Sequence, residues 1–374
     1  MTNATLKLPF YTKFAMYCIS IFAIVFALQT GGGIILPILY ATIIAILLNP
    51  LVNYLVSKKI NKILAIAVTV VLAICGVLII LAIISAQVSM LTQTYPALEQ
   101  KFSVTFASFC QWISQKFSIP QSNIDAWIKS TQSEALKNLA IGEKISAAGR
   151  MLIIGMLLPV YLFMILFYKT LLVEFVYRLF GKEDQTVVSE ILSNIKKIIQ
   201  SFLTGLFFEM IIIAILNSVG LLLLGIEYAI ILGITGAVLN VIPYIGGIIA
   251  IALPMVIAFV TKDSITYPLL VFGVYMFIQF IDNHLVIPRI VASRVQINAL
   301  VSVIVVLIGG ALWGVAGMFL SIPLTAIIKV ICDHIEPLKA WGFLLGNTVP
   351  TASKLKMFRQ RKPAMSKQLV NSEA

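Results

Sequence analysis

The sequence predicts an all-α polytopic membrane protein with about six full spans and two interrupted, re-entrant helical hairpins that form an inverted repeat. Its 374 residues are 60% hydrophobic and only 11% charged, whereas soluble domains are about 45–50% apolar. A soluble fold could not keep so much apolar surface out of water. The apolar runs are continuous and of helix length, which favours helices over a membrane barrel. Two runs exceed the length of one span and are broken by Gly and Pro.

The charge, cysteine and motif content excludes several classes of function. The net charge of +12 would suggest a nucleic-acid partner in a soluble protein, but in a membrane protein Lys and Arg collect in cytoplasmic loops. No P-loop or His-Glu-x-x-His motif is present, and two His residues cannot build a histidine metal cluster. The four Cys residues are scattered, without metal or disulfide spacing. We therefore expect no enzymatic activity, no metal or cofactor and no nucleic-acid partner; the expected partner is the lipid bilayer.

The N-terminal segment, residues 1–86, is predicted to contain three spans. They cover residues 14–28, 33–52 and 63–86, and a tight basic turn with Lys58, Lys59 and Lys62 separates the second from the third. The first run lacks a small-x-small cleavage site. We interpret it as an uncleaved span rather than a signal peptide.

The next segment, residues 87–147, is more polar and predicts a helical extracytoplasmic insertion. Apolar residues recur there at three- and four-residue steps, which indicates an amphipathic helix: Phe102, Phe106, Phe109, Ile113 and Phe117. Pro120 ends this helix, and Ser122 with Asp125 resembles a capping box that opens another. Packing on the membrane surface or on a neighbour is the favoured role, and a ligand-binding lid is the alternative.

Residues 148–197 are predicted to hold the fourth span, residues 151–168, and a mixed-charge cytoplasmic loop, residues 169–197. The core of the C-terminal half, residues 198–340, then begins with the fifth span at residues 198–224, and a basic cytoplasmic tail, residues 341–374, follows the core.

The core contains the two interrupted runs, residues 228–260 and 297–332, separated by the sixth span at residues 265–282. Each run is either a re-entrant hairpin or one kinked full span. Two hairpins place Arg289 and Arg294 in the cytoplasm, which the positive-inside rule prefers. Both chain ends are then cytoplasmic, and the two span–hairpin pairs have opposite orientation, as in the inverted repeats of secondary transporters.

One acidic residue lies in the middle of a predicted span. Glu209 is flanked by Phe207, Phe208 and Met210 in the fifth span. A carboxylate at the centre of a membrane helix costs about 2.5–3.5 kcal/mol on insertion scales, so such a residue usually faces a partner or a water-filled cavity. Glu209 is therefore a candidate for the substrate or ion pathway. A paired or protonated structural carboxylate is the alternative.

The sixth span carries a polar stripe. Tyr275, Gln279, Asp282 and Asn283 follow one another at four-, three- and one-residue steps, and such spacing predicts one polar helix face directed into the bundle. Gln279, Asp282 and Asn283 are candidate pathway residues. The alternative is that Asp282 and Asn283 merely end the helix at the membrane interface.

The breaks in the two long runs predict further pathway and packing residues. Pro243 lacks an N–H and Gly246 and Gly247 allow a sharp turn, so backbone carbonyls near the break lose their helical partners. Such freed carbonyls, together with Asn240 and Tyr244, could bind a small polar solute or cation. At the second break, the predicted role of the residues is to interrupt the helix or to allow close helix packing. These residues are Gly309, Gly310, Gly314, Gly317 and Pro323.

Four segments resemble the motifs of the autoinducer-2 exporter family, also called PerM-like permeases. They are LPILYATIIA with LNP at residues 36–50, LNVIPYIGG at 239–247, DNHLVIPRI at 282–290 and GGALWGVAGMFLSIP at 309–323. The resemblance covers residues 33–339. It departs from the family pattern at Gly247, where the family often has proline.

The resemblance implies a multi-pass transporter of the bacterial inner membrane, often homo-oligomeric. It implies export of autoinducer-2 or a similar small polar solute, with sodium/proton antiport as the alternative. An antiporter would use Glu209 and Asp282, whereas a neutral solute would use polar groups such as Asn240, Tyr244 and Gln279. A passive channel and a non-transporting envelope scaffold are two further alternatives.

Overall fold

The computed structural model describes residues 9–117, 155, 157–181, 184–243, 245–262, 264–292 and 297–347. Almost all of these residues are helical, and they contain no β-strand beyond the single bridge between Ile297 and Gly346. Six helices are long and apolar enough to cross a membrane, and a bent pair adds a seventh candidate. The predicted class of polytopic all-α membrane protein is confirmed.

The first three helices begin the bundle. They are α1 (Phe10–Thr30), α2 (Gly32–Ser57) and α3 (Lys62–Phe117). Helix α1 has no buried residue. Helix α3 has 56 residues, a length of about 84 Å at 1.5 Å per residue, so it extends far beyond a bilayer. It crosses the predicted boundary at residue 86 without a break. Pro120 and the capping pair Ser122 and Asp125 lie outside the described residues.

The predicted mixed-charge loop at residues 169–197 is wrong, because most of it is helical. Helix α4 (Leu157–Phe167) bends by 65° into α5 (Lys169–Leu179), and α6 (Gln185–Leu223) begins thirteen residues before the predicted start of the fifth span. Charged residues lower hydropathy but do not prevent helix formation. Helix α6 is central to the bundle, since it packs against α2 and against four elements described below: the first helix of the first interrupted run, the helix that follows that run, its π-helical continuation and the second interrupted run.

The first interrupted run is a pair of short helices, α7 (Ala229–Asn240) and α8 (Ile245–Thr261). They pack against each other, and the chain reverses over the few residues between them. At the reversal the backbone is so tight that a methyl group on Gly246 would lie 1.7 Å from the carbonyl oxygen of Leu239. We call this pair the first hairpin. Helix α9 (Thr266–Ile281) follows and continues as a π-helix (Asp282–Ala292).

The second interrupted run, α10 (Ala299–His334), also folds back on itself. Its backbone leaves the helical region at Trp313 and Gly314, where Gly314 has φ +62°. A continuous helix would separate residues 309 and 317 by about 12 Å, yet a methyl group on Gly317 would lie 1.9 Å from the Gly309 carbonyl oxygen. We call α10 the second hairpin. It is followed by a short 3-10 helix (Glu336–Leu338) and α11 (Lys339–Leu345).

The two ends of α10 lie at the same end of the molecule. Asn298, just before α10, donates from Nδ2 to the carbonyl oxygen of Leu344 at 2.7 Å, in the last turn of α11. A straight helix of 36 residues would carry the chain about 54 Å away. The eleven residues from His334 to Leu345 could return at most about 40 Å even when fully extended. The hydrogen bond between Asn298 and Leu344 is therefore possible only if α10 folds back as a hairpin.

Candidate functional site

Helix α6 contributes a buried stripe to the centre of the bundle. Gly205, Glu209, Ile213, Asn217 and Leu221 recur at four-residue steps and are all buried. Glu209 is 8% exposed and Asn217 only 2%. Sequence reasoning selected Glu209 and missed Asn217, although its position eight residues further along places it on the same helix face.

The reversal of the first hairpin brings a second polar group to this stripe. Asn240 is the last residue of α7, and its Nδ2 donates a hydrogen bond to Oδ2 of Asp282 at 3.2 Å. Pro243 lies in the irregular segment that follows, and Gly246 makes the close approach to Leu239 described above. Tyr244 lies outside the described residues.

Helix α9 completes the site where its hydrogen-bond pattern widens. Tyr275 is 4% exposed and Asp282 is 1% exposed, and Gln279 Nε2 donates to Asp282 Oδ2 at 3.5 Å. The π-helix begins at Asp282, and such widened turns occur frequently at functional sites. Asn283, which was predicted to share this face, is exposed and points away from the cluster.

Several of these side chains surround a small space that we call the polar cavity. Its volume is about 10 Å³, close to that of one water molecule. It is lined by Ile213, Asn217, Gly236, Asn240, Gly247, Ala250, Tyr275, Ile278, Gln279 and Asp282. Three buried oxygens have no hydrogen-bond partner among the described residues: Oδ1 of Asn217, the hydroxyl of Tyr275 and Oδ1 of Asp282. Buried polar atoms rarely remain unsatisfied, so the cavity is chemically suited to a small polar or cationic species.

The two buried carboxylates interact. Glu209 lies close enough to Asp282 for their charges to repel. Among the described residues, neither carboxylate belongs to an ion pair. Two unpaired carboxylates in a low-dielectric interior are not both stable as anions. One of the two is therefore expected to be protonated or compensated by a bound cation. In the described part of the chain, no group of three or more His, Cys, Asp or Glu is arranged to hold a metal ion.

A larger open cavity, the vestibule, approaches the carboxylates from the end of the bundle that carries Arg289. Its volume is about 390 Å³. Its lining comes from α6 and the π-helix: Gln200, Ser201, Thr204, Gly205, Phe208, Arg289 and Ile290. Gly205 is one helical turn from Glu209, and Ile290 is about two turns from Asp282. The vestibule has the size of a small-molecule site, although sequence reasoning selected none of its residues.

The residues of the second break lie away from the polar cavity. Gly309 and Gly317 are in contact, and a methyl group on Gly309 would lie 2.1 Å from Oγ of Ser321. Gly310 lies against Met318, whereas Gly314 has no atom near its missing side chain, and Pro323 is buried. The turn at Trp313 contacts the first two helices, since Trp313 Nε1 donates to the Leu28 carbonyl oxygen at 2.9 Å. The residues of this break pack helices together, and none of them is among the residues that line the polar cavity.

In a comparison with known proteins, the chain is similar to a family of transporters and to several transport proteins and permeases. The family profile described as AI-2E family transporter matches residues 14–336. The chain is 27% identical over 312 residues to the AI-2 transport protein TqsA of Escherichia coli, covering 82% of this chain and 88% of that protein. It is 25% identical over 314 residues to the putative permease PerM of the same organism, covering 80% and 87%. A putative transport protein of Bacillus subtilis, YrrI, is 29% identical over 146 residues, covering 39% and 41%.

Proposed function

Because this chain belongs to the AI-2E family of transporters, we propose that it is a secondary transporter that exports a small polar solute and couples this flux to a cation. Glu209 and Asp282 would be the coupling carboxylates. The observation that carries the proposal is that both are buried within electrostatic range of each other, without an ion-pair partner among the described residues, and that Asp282 contacts the end of a broken helix through Asn240. Buried intramembrane carboxylates in transporters are typical of ion pathways and proton relays.

The sizes of the two cavities suggest a division of roles. The polar cavity, at about 10 Å³, accommodates a water molecule or a bare ion but no sugar-sized solute. The vestibule, at about 390 Å³, accommodates a small polar molecule and offers amide and hydroxyl groups from Gln200, Ser201 and Thr204. We assign the cation to the polar cavity and the solute to the vestibule. The similarity to a protein named for AI-2 transport makes AI-2 the first solute to test.

The arrangement of the hairpins supports an alternating-access mechanism. Each hairpin follows a long helix, α6 or α9, and the two long helices run in opposite directions if both hairpins are re-entrant. This arrangement corresponds to the inverted repeats with discontinuous helices seen in secondary transporters. In the proposed cycle, rearrangement of the first hairpin against α9 would expose Asp282 first to one side of the membrane and then to the other.

We also propose that the end of the bundle with the vestibule faces the cytoplasm of a bacterial inner membrane. Lys58, Lys59 and Lys62 lie in the turn between α2 and α3, and Arg289 lies at the vestibule. The positive-inside rule favours the cytoplasm for these residues. Both chain ends are then cytoplasmic. Assembly into a homo-oligomer is a further proposal, which rests on the family resemblance alone.

A flux measurement in proteoliposomes tests the proposal. Purified protein would be reconstituted, and AI-2 movement would be followed under an imposed proton or sodium gradient. We expect AI-2 to accumulate against its concentration gradient only when one of these gradients is present. Equilibration without accumulation would indicate a passive channel. The absence of any flux by a well-folded, inserted protein would indicate a scaffold.

Sodium/proton antiport is a second candidate function. The observation that favours it is the small volume of the polar cavity, which suits a cation without any larger solute. Its test is direct, because sodium-driven proton movement would occur in the same proteoliposomes when AI-2 is absent. Under the first proposal, sodium-driven proton movement should not occur in these proteoliposomes unless AI-2 is present.

A further inference from the structure

A second large cavity lies at the end of the bundle that carries Lys62. It adjoins the vestibule, since Gln200 of the vestibule donates from Nε2 to the carbonyl oxygen of Ile46, which lines this second cavity, at 2.7 Å. It has a volume of about 440 Å³ and lies between α2, α4, α5 and the beginning of α6. We call it the interfacial cavity. None of its lining residues lines the polar cavity or the vestibule.

One wall of the interfacial cavity comes from α5. This helix turns away from α4 by 65° and has eleven residues, with the sequence KTLLVEFVYRL. Lys169, Leu172, Val173 and Tyr177 line the cavity. Other apolar residues of α5 lie exposed at four-residue steps: Leu171, Phe175 and Leu179. A short helix with exposed apolar residues and charged ends, bent away from a span, is typical of a helix that lies in the membrane interface.

The cavity combines an apolar wall with a basic rim. Its apolar lining includes Ala45, Ile46, Ile165, Leu166, Leu172, Val173, Leu192 and Ile195. The rim carries Lys169 and Lys196, together with hydroxyl groups from Ser189 and Ser193. Lys169 Nζ donates to Oδ1 of Asn49 at 2.8 Å, which holds the ammonium group at the cavity.

The positive charges at this rim are not neutralised by the described part of the protein. Lys62 Nζ lies nearby and donates to the carbonyl oxygen of Phe167 at 3.2 Å. Neither Lys62, Lys169 nor Lys196 belongs to an ion pair among the described residues. Lys169 lies beyond the end of the α4 span, and its pKa is lowered by burial and by the charges of Lys196 and Lys62. The site is therefore complementary to an anion.

We propose that the interfacial cavity binds one anionic phospholipid, with the phosphate at Lys169 and Lys196 and the upper acyl chains along the apolar wall. Basic pockets between membrane helices are typical sites for anionic lipid headgroups. A free phosphate would use the lysines but leave the apolar wall uncovered. A zwitterionic lipid would cover the wall but contribute no net negative charge. The bound lipid would hold α5 and the first turns of α6, the helix that also carries Glu209.

The test is lipid binding to the detergent-solubilised protein, measured by native mass spectrometry. The probes are phosphatidylglycerol, phosphatidylcholine and inorganic phosphate. We expect one phosphatidylglycerol per chain to bind more tightly than phosphatidylcholine and to survive excess inorganic phosphate. The double variant Lys169→Gln/Lys196→Gln should weaken phosphatidylglycerol binding by about twenty-fivefold, because each lysine near an anionic lipid contributes about fivefold.

Two further variants control the test. Lys58→Gln/Lys59→Gln removes the same charge from an exposed turn outside the cavity and should leave phosphatidylglycerol binding within about twofold. Ser193→Phe keeps the charges but fills the cavity, so lipid binding should also fall. Each variant is first checked for a monodisperse elution profile.

The proposal is overturned if both lysine double variants bind phosphatidylglycerol equally, or if Ser193→Phe binds it as wild type does. Equal binding of phosphatidylcholine also overturns it. Displacement of the lipid by inorganic phosphate would identify a soluble-anion site instead.

Discussion

At the scale of single residues, substitutions of two glycines in the first hairpin should have different effects, one on stability and the other on transport. Gly246 lies where the chain reverses, and an added methyl group would meet the Leu239 carbonyl oxygen at 1.7 Å. The backbone itself would have to move, because the obstructing atom belongs to the main chain. Gly236 is different: an added methyl group there would lie 3.3 Å from Asn217 Nδ2 and 3.3 Å from the Tyr275 hydroxyl, both side-chain atoms of the polar cavity.

We predict that Gly246→Ala destabilises the protein by about 1–3 kcal/mol, the usual cost of overpacking a tight site. The measurement is the thermal unfolding midpoint in detergent. The control is Gly273→Ala in α9, where no atom lies within 4 Å of the added methyl group. It should be neutral or slightly stabilising, because alanine favours helices over glycine by about 1 kcal/mol. Equal unfolding midpoints for the two variants would contradict the tight reversal.

We predict that Gly236→Ala reduces transport more than it reduces stability. The methyl group would occupy part of a cavity of about 10 Å³ and displace a bound ion or water. The expected result is a raised cation concentration for half-maximal flux, with an unfolding midpoint close to that of wild type. Unchanged cation dependence would show that the polar cavity is not the cation site.

At the scale of elements, the predictable part of the fold was the set of apolar helices and their two interruptions. Lipid imposes a minimum length on a span, so runs of residues 228–260 and 297–332 were visibly too long, and Gly and Pro marked the reversals. Helix α5 was not predicted, because hydropathy reports preference for lipid rather than for helix. Its apolar residues at four-residue spacing were the available signal.

The candidate site was partly predictable for a similar reason. A carboxylate in an apolar run, such as Glu209, is conspicuous in the sequence, and the spacing of Gln279 and Asp282 predicts a shared face. Asn217 and the vestibule depend on how α6 packs against the first hairpin and the π-helix. Such packing between distant segments leaves no local pattern in the sequence.

The orientation of α9 in the membrane can be tested by cysteine labelling. We predict that Arg289→Cys, in a variant without native cysteines, resists a membrane-impermeant thiol reagent added to intact cells. The first hairpin must be re-entrant for Arg289 to face the cytoplasm, because a full span at that position would direct α9 outward instead of inward. Glu227→Cys is the control: it lies in the exposed turn between α6 and α7, which this topology places outside, and it should label readily. Ready labelling of Arg289→Cys from outside would contradict the re-entrant topology.

At the scale of the whole molecule, the proposed mechanism requires that the buried carboxylates alternate between the two sides of the membrane. The polar cavity has a volume of only about 10 Å³, whereas the vestibule is an open cavity of about 390 Å³ at the Arg289 end. In the proposed cycle, the described conformation would be one in which the vestibule is accessible from one side. Moving one charge across the membrane is worth about 2.3 kcal/mol per 100 mV, which is enough to drive such a cycle.

The most direct test of the coupling role is AI-2 flux by Asp282→Asn in proteoliposomes under an imposed proton or sodium gradient. Asparagine preserves the shape of Asp282 but cannot exchange a proton for a cation, so the account predicts that gradient-driven accumulation is lost while reconstitution remains normal. Glu227→Gln, which alters an exposed carboxylate in the turn after α6, should accumulate AI-2 as wild type does. Gradient-dependent accumulation by Asp282→Asn equal to that of wild type would contradict the account.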